Sequence, residues 1–106
     1  MTTELDNAER EDIDRDEQVL LLRDDGRTYA TISKQLDLER AVIARACYLR
    51  ALRRRPLEER RDLCRRELER LDAFAALVAK RQDLDAQEID QRLRLVDQLR
   101  RELPAD

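Results

Sequence analysis

The residues with the most to offer chemically are arginines. Eleven of them fall between residues 40 and 70, against five acids, Glu58, Glu59, Asp62, Glu67 and Glu69. A guanidinium never loses its charge and presents a rigid fork of donors matched to phosphate and to the O6/N7 edge of guanine. Dense arginine on helical spacing therefore points to an acidic polymer. The opposite charge gathers at the other end, where residues 1–26 hold ten acids against Arg10, Arg15 and Arg23. The formal net charge of −3 hides this division, and it is the local field that selects a partner. Catalysis finds little to work with. The chain has no histidine, one glycine (Gly26) and two cysteines, Cys47 and Cys64, set inside helical patterns. Neither a nucleophile–base pair nor a glycine-rich phosphate cradle can be assembled, and a zinc site lacks its ligands. The expectation is a non-enzyme with no metal and no cofactor, its thiols reduced and buried.

The elements that must position these arginines are helices. Ala, Leu, Arg, Glu and Gln dominate the 106 residues, whereas aromatics number three and prolines two. Residues 1–12 are acidic and lack apolar periodicity, which predicts a disordered tail. An amphipathic helix is expected from Asp14, through Val19, Leu20 and Leu22, to a C-cap at Gly26. Thr28 offers the next N-cap, with Tyr29, Ile32 and Leu36 at helical spacing. A third helix is expected from Glu39 to about Arg54, burying Ile43 and Ala46, because Pro56 disfavours helix at the residue before it. Beyond Pro56, Cys64, Leu68, Leu71, Ala75 and Val78 step by four, three, four and three, an a/d seam. Asp85 and Glu88 form a capping-box pattern for a last helix carrying Ile89, Leu93, Val96, Leu99 and Leu103. The predicted fold is all-α, with a disordered tail over 1–12, three helices over 13–55 and a helical hairpin over 56–106. No apolar run is long enough to span a membrane, and the acidic start lacks an apolar leader segment, so a cytoplasmic protein is expected.

The stretch from Arg27 to Cys47 resembles the helix-turn-helix of sigma-factor region 4 and of resolvases. The resemblance covers about forty residues and rests on a glycine-containing turn at Asp25-Gly26-Arg27, then Ile32, Ser33 and Leu36, a turn residue at Asp37, an anchor at Leu38, and Ile43 and Ala46 in the second helix. Three positions depart from the pattern: Ser33 stands where alanine is commonest, Asp37 where glycine is, and Glu39 where serine or threonine caps the helix. The resemblance implies double-stranded DNA as partner and the helix from Glu39 as the one entering the major groove. It places Glu39, Arg40, Ala41, Ala44, Arg45 and Tyr48 outward, with Arg40 and Arg45 toward base edges. Arg27, Thr28 and Lys34 would grip the backbone, and Arg53 and Arg54, with Arg50 and Arg55, would trail along phosphates. A regulator or nucleoid-associated protein is the expected class. The hairpin seam of Cys64, Leu68, Leu71, Phe74 and Val78 is expected to hold a homodimer, or to dock a protein partner. Two alternatives remain open. Arg66–Ala73 and Ile89–Asp97 weakly resemble phage small-terminase proteins, and the whole chain could be an interaction module that touches no DNA.

Overall fold

In the computed structural model, residues 3–104 are described, with side chains from Asn7 onward. They form five helices: α1 (Thr3–Asp24), α2 (Tyr29–Gln35), α3 (Ala41–Arg54), α4 (Leu57–Ala79) and α5 (Ala86–Arg101). No strand occurs among the described residues, so the fold is all-α. None of these helices is long and apolar enough to cross a membrane. The chain divides into two compact units, Met1–Pro56 and Leu57–Asp106.

In the first unit, α1 and α2 both pack on α3. The core is Val19 and Leu20 of α1, Ile32 and Ser33 of α2, and Ala44, Cys47, Tyr48, Ala51 and Leu52 of α3. Both connecting turns close in the same way. Gly26 takes φ 99°, its N–H bonds the Arg23 carbonyl at 2.9 Å, and the N–H of Arg27 reaches back to Leu22 at 3.2 Å. Asp37 takes φ 56°, with Leu38 N–H on the Ser33 carbonyl at 2.7 Å and Asp37 N–H on Lys34 at 3.4 Å. This pair of back-reaching bonds satisfies carbonyls that a helix end leaves open, and it needs one left-handed residue, which glycine supplies freely and aspartate tolerates. Thr28 then caps α2 by accepting from Thr31 N–H at 3.1 Å.

The expected disordered tail is not what forms. Residues 3–12 belong to α1, while Met1 and Thr2 lie outside the described residues. Tertiary packing nucleates the helix at Val19 and Leu20, and extending a formed helix through Glu, Asp, Ala and Arg costs little. Acids near the first turns also suit the positive end of the helix dipole. The start of α3 differs as well. Arg40, not Glu39, is the N-cap, and no side-chain bond caps the helix.

In the second unit α4 and α5 pack on each other. Asp85 and Glu88 complete a capping box, Glu88 N–H donating to Asp85 Oδ1 at 2.8 Å and Asp85 N–H to Glu88 Oε1 at 3.4 Å. Arg100 joins the two helices by donating to Asp72 Oδ1 from Nη2 at 2.7 Å and from Nε at 3.1 Å.

Candidate nucleic-acid interface

The outward face of α3 follows from which face turns inward. Ala44, Cys47, Tyr48, Ala51 and Leu52 recur at helical spacing and are all buried. Ala44 and Ala51 present only methyl groups, which lets neighbouring helices come close, and the Tyr48 ring meets Tyr29 edge-on at 6.0 Å. Arg23 lays its guanidinium over the outer Tyr29 ring, 4.3 Å from its centroid.

This register corrects the sequence-based assignment at four positions. Ala44 and Tyr48, expected to face DNA, are fully buried. Ile43 and Ala46, expected in the core, are half-buried. The strip opposite the core is Val42, Ala46, Leu49 and Arg53, with Val42 49% exposed. Three of these four side chains are apolar, which suits thymine methyl groups or a protein surface better than phosphates.

The remaining candidate residues fall into three groups. Arg40, Lys34, Arg27 and Arg53 are exposed, and Arg45 and Ala41 are half-buried. Arg27 Nε lies 3.9 Å from Asp25 Oδ2. Arg45 and Arg53 are eight residues apart on α3, which puts them about 80° apart around the helix, Arg53 on the outward strip and Arg45 to one side of it. Thr28, expected on the DNA backbone, spends its hydroxyl locally. It accepts from Thr31 N–H and donates to Thr31 Oγ1 at 2.9 Å.

Arg54 and its neighbours form the third group, and here an acid of α1 intervenes. Asp16 is 1% exposed. Arg50 grips it with two parallel bonds, Nε to Oδ2 and Nη2 to Oδ1, both 3.0 Å. Arg54 Nη1 adds a third at 2.8 Å. Burial alone would push this carboxyl up, but the two guanidiniums hold it below the ordinary aspartate value. The same bonds raise the Arg50 pKa further. One turn earlier, Cys47 Sγ accepts from Arg50 Nη2 at 3.3 Å. Burial and the adjacent Asp16 push that thiol up, so it is a poor nucleophile. Beside Asp16, Glu17 pairs with Arg55. Three of the four arginines that trail from α3 are thus held by α1. One signal in the sequence marks this clamp: Asp16 precedes Val19 and Leu20 by three and four residues, on the inward stripe of α1.

The seam expected to hold two copies together is largely taken within the chain. Cys64, Leu71 and Val78 are buried, and the Cys64 thiol points to the Pro104 carbonyl at 3.7 Å. A 3.5-residue seam buries itself against whichever helix lies nearest, and here α5 follows α4 directly. Leu68 and Phe74, at 37% and 48% exposure, remain accessible, as does Leu77.

Among the described residues no group of three or more Cys, Asp or Glu is placed to hold a metal ion. No protein-family model, curated protein or solved structure matches the chain.

Proposed function

We propose that the chain is a non-enzymatic protein that binds double-stranded DNA, with α2 and α3 as a helix-turn-helix and α3 in the major groove. The observation that carries this reading is the α2–α3 turn. Asp37 occupies the left-handed position where the motif has glycine, and it does so between a seven-residue helix and a fourteen-residue one. The exposed cations Lys34, Arg40 and Arg53, with half-buried Arg45, border the solvent side of that turn and helix. Arg40 and Arg45 are the residues assigned to base edges, and Lys34, Arg27 and Arg53 to phosphates.

A mobility-shift assay on genomic fragments at low salt tests the reading. Arg40→Ala and Arg45→Ala are expected to weaken preferred fragments by about 1–3 kcal/mol each, and Arg53→Ala to weaken all fragments alike. Absence of any shift rejects DNA binding. Exposed Val42 favours a second reading, in which the apolar strip of α3 docks a protein, a regulator's partner or a second copy. Under that reading Val42→Asp abolishes the interaction, whereas Arg40→Ala leaves it intact. Self-association of the C-terminal helices is assigned to Phe74 and Leu68. Phe74→Asp in sedimentation is the cleaner test, since Leu71→Asp would also disrupt the packed interior.

A further inference from the structure

We infer that Asp16 and Glu17 are masking residues that withdraw Arg50, Arg54 and Arg55 from phosphate contact and so hold down sequence-independent DNA binding; this rests on the DNA-binding reading above. Four arginines follow one another along the second half of α3 and its exit, Arg50, Arg53, Arg54 and Arg55. Placed on the helix assigned to the groove, all four would add phosphate contacts that carry no sequence information. The structure gives three of them internal partners instead. Arg50 turns the Nε–Nη2 edge of its fork to Asp16, the edge that a phosphate would take bidentately. Arg54 spends Nη1 on the same carboxylate, and Arg55 is tied to Glu17.

Charge tells the same story as geometry. Asp16 lies within 3.0 Å of both guanidiniums and cancels one of their two charges, and Glu17 cancels that of Arg55. A shallow groove of about 480 Å³ beside the clamp is also lined by Glu9 and Asp12, which repel a phosphate entering there. Arg53 points away from these acids, on the outward strip with Val42 and Leu49. Binding then depends on Arg40 and Arg45 near the start of α3, where base edges are read, rather than on its arginine-rich end.

The carboxylate side of the clamp is anchored. Asp16 sits one turn from Val19 and Leu20, both in the core, so the packing of α1 keeps the carboxylate beside Arg50 and Arg54. The acids therefore tilt the balance between specific and general binding toward the specific.

The test is fluorescence anisotropy of the full chain with a mixed-sequence duplex, titrated between about 50 and 200 mM salt, the range over which phosphate contacts separate most clearly. Asp16→Asn keeps the shape and an acceptor oxygen while removing the charge, and Glu17→Gln does the same at a half-exposed pair. Both variants are expected to bind more tightly than wild type, by about 3–10-fold. The slope of log affinity against log salt should steepen by about one to two units for Asp16→Asn and about one for Glu17→Gln. Circular dichroism reports whether each remains helical. Should Asp16→Asn fail to fold, Glu17→Gln alone decides. Duplex bound by wild type and folded variants with equal affinity and slope overturns the masking inference and leaves DNA binding standing. No binding by any of the three rejects the DNA reading, and the inference falls with it. Binding by the variants but not by wild type supports both.

Discussion

Helices α3 and α4 are both rich in arginine, yet they dispose of the charge in different ways. On α3, Arg50 and Arg54 reach a single acid, Asp16, 34 and 38 residues away, and Arg55 at the C-cap finds Glu17 across 38 residues. On α4, Arg65 sits between Asp62 at 3.8 Å and Glu69 at 3.5 Å, both on its own helix. The first arrangement ties two elements together and can exist only when the unit is folded. The second is available to an isolated helix and adds a few tenths of a kcal/mol per pair. Glu67 stands between the extremes, since its partner Arg70 is three residues along, at 2.9 Å, while its carboxylate is buried. Similar sequence density therefore conceals a tertiary clamp on α3 and, at Arg65 and Arg70, local pairing on α4.

The largest effect expected in this comparison comes from the apolar side of α3. Tyr48→Ala empties a fully buried site and removes the edge-on contact with Tyr29, which should cost about 3–5 kcal/mol in urea unfolding. Next is the clamp. Asp16→Ala should cost about 2 kcal/mol, less than a fully buried pair would, because the arginines it abandons are 49% and 40% exposed and regain water. A double-mutant cycle of Asp16→Ala with Arg50→Ala should return a coupling near 1–2 kcal/mol. A coupling near zero would place the two helices' arginines in one class and remove the distinction.

The clamp also makes an acid-limb prediction. Arg50 and Arg54 hold the folded carboxyl of Asp16 below its ordinary value of 3.8, against the opposing push of burial. The unfolded chain then takes up the proton first as pH falls. The stabilisation is complete above the ordinary aspartate range and is lost as pH drops through the lower folded value. Wild type should therefore lose stability between about pH 5 and 2 more steeply than Asp16→Asn, in which this component is absent. Equal slopes for the two proteins would assign the acid limb to other carboxylates.

Much of this architecture was legible because it is local. The Gly26 turn, the Thr28 cap and the Asp85–Glu88 capping box each meet a need of one helix end, and one or two residues suffice to announce them. The facing of α3 was not legible. Val42, Ile43, Ala46 and Leu49 are as apolar as Ala44, Cys47, Tyr48, Ala51 and Leu52, so periodicity offers two inward faces and does not choose between them. The choice falls to close approach, which the alanines at 44 and 51 permit. That is a property of the neighbouring helices, not of α3 alone. The start of α1 was misread for a related reason: a helix with no apolar stripe of its own extends from a part that has one. Asp16 was marked by its place on the inward stripe of α1, but its partners were hidden by sequence distance, since they lie beyond any helical spacing.

The smallest effect is the most demanding test of the contrast. Arg65 and its two acids are more than 60% exposed, and their separations are longer than those of a well-made charged hydrogen bond. Water competes for each group, salt screens what attraction is left, and holding long side chains in place costs rotamer entropy. Arg65→Ala should therefore change stability by no more than about 0.5 kcal/mol, and the Arg65–Glu69 cycle should give about 0.3. Raising salt from 0.1 to 1 M shortens the screening length from about 10 to 3 Å, which should erase that small coupling while sparing most of the Asp16–Arg50 term. A salt-resistant Arg65–Glu69 coupling would mean that α4's surface pairs, like the clamp, are shielded from water, and that the division between the two helices lies in sequence distance alone.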